Sequence, residues 1–178
     1  MRRLKHILAI SDIILTLIVA FVYQPFTTAI ASTPPAVDSA ALQNHVRYLS
    51  VDAYPRSFDF PHNLNAAADY IKEEWQRAGI QVTEQTVDVQ GTSYRNIIAH
   101  FGPTADINHP VTVIGAHYDS HGDAVNGAKY PEGHSKDTHT PGADDNASGV
   151  AGIIELGKLL AKNPPSNTIT LAASTLKE

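Results

Sequence analysis

The chain has 178 residues, 43% of them hydrophobic and 17% charged, a balance suited to one sizeable globular domain and inconsistent with a disordered or collagenous polypeptide. Thirteen Lys and Arg against eighteen Asp and Glu give a net charge of -5, without the cationic field that nucleic-acid binding requires, so no nucleic-acid partner is expected. The absence of cysteine removes disulfides, thiolate metal sites, Fe–S clusters and cysteine nucleophiles, and leaves histidine and carboxylates as the strong metal ligands. Five of the nine histidines, His109, His117, His121, His134 and His139, fall within one short stretch.

Arg2, Arg3, Lys5 and His6 precede an apolar run from Ile7 to Tyr23, followed by Ala29-Ile30-Ala31, a small-x-small sequence of the kind signal peptidase cuts. Asp12 leaves only Ile13 to Tyr23 uninterrupted, short for a bilayer span but suited to the h-region of a signal peptide. Residues 1–31 are therefore expected to direct export to a secreted, periplasmic or other extracytoplasmic location. The alternative is an uncleaved single-pass membrane tether through residues 7–23. Residues 32–38, with Pro34-Pro35, read as a linker to the folded part, residues 39–178.

Leu42, Val46 and Leu49 recur at helical spacing over residues 39–51. A second predicted helix, over about 64–78, carries Ala67, Ile71 and Trp75 on one face and stops at Gly79. Trp75 on that stripe reads as core, whereas Tyr54 and Arg56 in the preceding loop are candidates for substrate contact. Residues 80–89 alternate weakly, and 94–101 and 111–117 are short apolar runs that read as strands. The continuity of Val111-Thr112-Val113-Ile114-Gly115-Ala116 suggests a strand buried on both faces. Residues 118–143 then form a polar segment rich in Gly, His and Asp, of a length that is usually functional or disordered. His121, His134 and His139 within it are spaced too irregularly for a compact ligand motif. A helix is predicted over 145–162, ended by Asn163-Pro164-Pro165, and a strand over 168–173, so the pattern is α/β.

The chemistry-bearing blocks are Gly115-Ala116-His117-Tyr118-Asp119-Ser120, ending the third strand, and Pro141-Gly142-Ala143-Asp144-Asp145-Asn146-Ala147-Ser148-Gly149, opening the following helix. Open α/β sheets bind ligands outside the carboxyl ends of their strands, so His117 and Asp145 can face one another across a long stretch of sequence. A carboxylate near a helix N-terminus is stabilised as the anion and stays deprotonated for a metal. Asp119 is placed to accept the second N–H of the His117 imidazole and fix its tautomer. Taken alone, Asp144 and Asp145 are also ordinary capping residues.

On these blocks, and on Ala66-Ala67-Ala68-Asp69-Tyr70-Ile71 and Tyr94-Arg95-Asn96-Ile97-Ile98-Ala99 upstream, residues 38–178 resemble the zinc exopeptidases of metallopeptidase family 28, the group of bacterial leucyl aminopeptidases and aminopeptidase Y. The resemblance implies the N-terminal part of a three-layer α/β/α zinc-peptidase (phosphorylase/hydrolase-like) fold. It implies two zinc ions sharing Asp145 as a bridging carboxylate, His117 on one zinc, and Asp119 behind His117 in the catalytic machinery. The implied reaction removes N-terminal residues from peptide substrates with a metal-activated water, whose proton a glutamate takes. Members of the family carry two adjacent glutamates just after the next strand, the first as base and the second as zinc ligand. This sequence reads Thr175-Leu176-Lys177-Glu178 there, so an ungapped alignment places Lys177 on the base and Glu178 on the ligand. A lysine ammonium is no carboxylate base, and its charge opposes nearby dications. The expectation is therefore a C-terminally truncated peptidase, inactive as given. Three alternatives stay open: a carboxypeptidase or dipeptidase on the same scaffold, a glutaminyl cyclase with one zinc, and a non-catalytic binding ectodomain. Loss of the glutamate pair favours the last, and retention of His117, Asp119 and Asp145 argues against it.

Overall fold

A computed structural model describes residues 2–23, 36–89, 91–104, 110–121 and 140–176. The chain divides into two compact units, Met1–Pro35 and Ala36–Glu178. The first contains helix α1 (Arg2–Tyr23), within which the Thr16 hydroxyl donates to the Asp12 carbonyl at 2.8 Å. Among the described residues no helix is long and apolar enough to cross a membrane. A tether through residues 7–23 therefore has no support, and Asp12 is the polar break in that run. The Ala29-Ile30-Ala31 sequence and most of the expected linker lie outside the described residues.

The second unit runs α2 (Ser39–Arg47), α3 (Pro61–Arg77), β1 (Val82–Val89), β2 (Thr92–Phe101), β3 (Thr112–His117), α4 (Ser148–Lys162) and β4 (Ile169–Ser174). Asp38 caps α2 by accepting the Ala40 N–H at 2.9 Å, which satisfies one of the unpaired donors of the first turn. The helix predicted through residue 51 ends earlier, passing at Tyr48 into one wider turn, Tyr48–Asp52. Helix α3 begins at Pro61, ahead of its apolar stripe, because the fixed φ and missing N–H of proline suit the first turn.

The four strands lie in the order β1-β2-β4-β3. β1 and β2 are antiparallel with Val82 opposite Ala99, and β2 and β4 are antiparallel with Ile97 opposite Ala173. β4 runs parallel to β3, Ala173 beside Ala116, and α4 provides the crossover that a parallel pair needs. Helices α3 and α4 share one face of the sheet, where Ile71 and Trp75 meet Ile97, Ile154, Leu171 and Ala173 in a fully buried core. The α/β class is as expected, and of the three expected layers the sheet and one helical layer are seen among the described residues. β3 corrects one expectation: it lies at the margin of the sheet, and only Ala116 and His117 are buried, while Val113 is 66% exposed. Its continuous apolar run reflects a face that no described helix covers, rather than burial on both sides.

The contact between α3 and α4 is close at one point. A Cβ added to Gly157 would stand 2.7 Å from the indole Nε1 of Trp75 and 3.4 Å from Leu171 Cδ1. Gly157→Ala should gain about 1 kcal/mol of helix propensity, yet overpacking of this kind typically costs ~1–3 kcal/mol. The expected net result is a lower midpoint in urea unfolding, and a raised midpoint would show that Trp75 moves aside freely.

Candidate metal centre

Two backbone segments form the site. The first is the carboxyl end of β3, where the ladder continues one residue beyond His117 as the Tyr118 N–H donates to the Ser174 carbonyl at 2.8 Å. Tyr118 is anchored a second time, its hydroxyl donating to the Arg95 carbonyl at 2.5 Å. Burial pushes its pKa up to about 12, so it remains a protonated donor. This tyrosine within the His-Tyr-Asp-Ser block thus holds the strand end in place, a role its position in the motif does not announce.

The second segment is the approach to α4. The helix predicted from residue 145 starts at Ser148, preceded by a wide turn, Ala143–Ala147. Asp145 (φ -117°, ψ 90°) and Asn146 (φ -139°, ψ 42°) are not helical, and the peptide bond between them is cis. Capping falls to Asn146, whose Oδ1 accepts the Gly149 N–H at 3.1 Å. The Asp145 carboxylate points instead at His117.

The geometry around His117 is tight. Its Nε2 stands 2.9 Å from Asp145 Oδ1, and its Nδ1 stands 3.2 Å from the Asp119 carbonyl oxygen and 3.4 Å from Asp119 Oδ1. The His117 side chain is 10% exposed and that of Asp119 2%, whereas that of Asp145 is 66% exposed and opens the site to solvent. In the tautomer with Nδ1–H donating to Asp119, Nε2 would be the nitrogen free to ligate. The 2.9 Å between Nε2 and Oδ1 is hydrogen-bond distance, shorter than the roughly 3.3–3.6 Å between two donors on one tetrahedral zinc. The fit to a divalent metal at His117 and Asp145 is one of donor chemistry, an imidazole nitrogen facing a carboxylate oxygen. Among the described residues no group of three or more His, Cys, Asp or Glu side chains could hold a metal. His121 is exposed, and Glu178, Lys177, His109, His134 and His139 lie outside the described residues.

Arg56 departs from its expected role. Far from facing a substrate, it is 0% exposed and donates only to backbone carbonyls. Its Nε reaches Tyr118 at 2.7 Å, its Nη1 reaches Leu49 and, at 3.2 Å, Pro141, and its Nη2 reaches Gly142 at 3.0 Å. Burial lowers its pKa to about 10, opposed by the negative charge of Asp119. No periodicity marks a lone arginine in a loop, so this clamp is invisible until the loop is folded.

A histidine at a strand end, a facing carboxylate and a second carboxylate behind the imidazole, set on a mixed sheet, fit the class of α/β metallohydrolases. Residues 96–178 match the profile of Peptidase family M28. The chain is 43% identical over 156 residues to the uncharacterized protein YfbL of Escherichia coli (strain K12), covering 88% of this chain and 45% of that one. Two solved structures from Bacteroides thetaiotaomicron, a leucine aminopeptidase precursor and a glutaminyl cyclase, each superpose with a TM-score of 0.63 at 24% identity. Each covers 81% of this chain, and the match spans 49% of the aminopeptidase precursor and 48% of the cyclase. A Zn-dependent exopeptidase from Parabacteroides distasonis follows at 25% identity and a TM-score of 0.57, over 79% of this chain and 47% of that one. The chain thus spans about half the length of each of these four proteins.

Proposed function

We propose that these residues form part of an exported zinc aminopeptidase domain in which His117 and Asp145 bind metal and Asp119 orients His117. The observation that carries this is the 2.9 Å approach of His117 Nε2 to Asp145 Oδ1 across segments far apart in sequence. Bound zinc would polarise the scissile carbonyl and lower the pKa of a water. His117, held in one tautomer by Asp119, presents a neutral nitrogen, and Asp145 presents an anionic oxygen open to the solvent from which a peptide arrives. Two zinc ions sharing Asp145, with Glu178 as a further ligand, complete the reading carried over from the family resemblance. Lys177, aligned with the base, cannot accept a proton from water, so the 178-residue polypeptide alone is expected to show no turnover. The basic cluster opening α1, ahead of its apolar run, and the division of the chain at Pro35 support a signal peptide over residues 1–31, a linker over 32–38 and an extracytoplasmic domain over 39–178.

The test has two parts. The 178-residue chain should bind zinc, and His117→Ala should abolish that binding; equal zinc content in both would sink the metal assignment. The protein isolated from its native source, at whatever mass it is found, is then assayed on a leucyl chromogenic substrate and on peptides beginning with glutamine. Chelator-sensitive release of free N-terminal residues, blocked by N-acetylation, is the expected result. Conversion of N-terminal glutamine to pyroglutamate with loss of ammonia would replace the aminopeptidase by a cyclase, whose fold superposes equally well. Absence of bound zinc together with absence of either activity would favour a binding ectodomain.

A further inference from the structure

We propose that Arg56 is the positioning residue of the metal centre, setting the Asp145 segment against the end of β3 so that Asp145 meets His117. The inference rests on the metal reading of that pair for its functional meaning, but its geometry is independent of it. The guanidinium is fully buried, and its acceptors come from three separate parts of the chain. Leu49 belongs to the wider turn after α2, Tyr118 directly follows His117, and Pro141 and Gly142 lead into the turn that carries Asp145. Only a planar fork with several fixed donors can serve carbonyls lying in these different directions, and a lysine ammonium cannot reproduce it.

The neighbours of Arg56 are built around the same junction. The Arg56 carbonyl accepts the Ser120 N–H at 2.8 Å, so the residue grips the strand end from both its side chain and its main chain. The Gly142 carbonyl that accepts from Nη2 also accepts the Ala147 N–H at 3.0 Å, the bond that closes the turn around Asp145. Gly142 sits at φ +63°, and a Cβ there would stand 2.5 Å from Ser120 Cβ and 3.0 Å from Arg56 Nη2. The turn is thus pressed onto the guanidinium so closely that only glycine fits. A buried charge costs several kcal/mol of solvation, which is hard to account for by packing alone when an apolar residue could fill the space. Fixing three segments in register accounts for it.

Arg56→Lys and Arg56→Met in the 178-residue chain, with His117→Ala as the metal control, test the proposal. Amide hydrogen exchange is read at Ala147, in the turn, and at Leu171, in the core strand, and zinc affinity is read by competition with a chromophoric chelator. In both Arg56 variants exchange at Ala147 should accelerate about tenfold or more while Leu171 is unchanged, and zinc affinity should fall ~10–100-fold, the range typical of groups that orient metal ligands. Failure of the lysine variant to rescue separates the fork geometry from charge alone. Unaltered exchange at Ala147 in a folded variant would overturn the proposal, and so would unfolding of both variants, which would make Arg56 a residue of the global core. If His117→Ala binds zinc as well as the parent chain does, the metal reading fails, and the exchange at Ala147 still decides the role of Arg56.

Discussion

Replacement of Trp75 by alanine is expected to lower the unfolding free energy by about 3–5 kcal/mol, a large share of the ~5–15 kcal/mol typical of a domain. Trp75 is fully buried on α3 and lies against Gly157 of α4, so its removal opens a cavity between the two helices that the sheet cannot close. Its indole Nε1 is buried without a hydrogen-bond partner among the described residues. An unsatisfied donor of that kind costs ~1–3 kcal/mol, so Trp75→Phe should recover part of what it loses in contact area. The expected order in urea unfolding is parent, then Trp75→Phe, then Trp75→Ala well below both. A phenylalanine variant as unstable as the alanine variant would mean that the N–H is satisfied in solution, by water for example.

The second large effect concerns Asp119. Removing a carboxylate that orients a metal-bound imidazole usually weakens metal binding by about 10–100-fold. Here the His117 Nδ1 lies slightly nearer the Asp119 main-chain carbonyl, at 3.2 Å, than its carboxylate, at 3.4 Å. The main-chain acceptor survives any substitution, so Asp119→Asn should fall at the low end, roughly tenfold in zinc dissociation constant. Asp145→Ala removes a ligand itself. Zinc sites with four ligands bind with ~10–16 kcal/mol, so one ligand accounts for on the order of 3 kcal/mol, or more than a hundredfold in affinity. Chelator competition on the two variants measures the ratio directly, and an Asp119→Asn loss as large as that of Asp145→Ala would place the Asp119 carboxylate on the metal rather than behind the histidine.

Much of the architecture is legible in the amino-acid pattern, and the exceptions have identifiable causes. The spacing of Ala67, Ile71 and Trp75 marks the buried face of α3, because only one face of a helix can meet the sheet. The strands fall within two residues of their expected bounds, and the facing of His117 and Asp145 follows from where α/β topology gathers strand ends and helix starts. The start of α4 is not legible: Asp144, Asp145, Asn146 and Ser148 all resemble caps, and only the tertiary turn decides that Asn146 is the one. Pro61 is a start signal that apolar spacing passes over. The margin position of β3 depends on strand order, which local sequence does not encode. Arg56 is the hardest to read, since every acceptor it uses is a main-chain carbonyl, identical for all residue types.

The marginal place of β3 has a colloidal consequence. Among the described residues its outer side carries a row of main-chain amides and carbonyls with no strand beside them, next to the exposed side chains of Val111 and Val113. Such an edge is a template for the same edge of another molecule, and no lysine or proline within Thr112–His117 blunts it. Self-association of the 178-residue polypeptide through this edge, in the folded state and rising with concentration, is therefore expected.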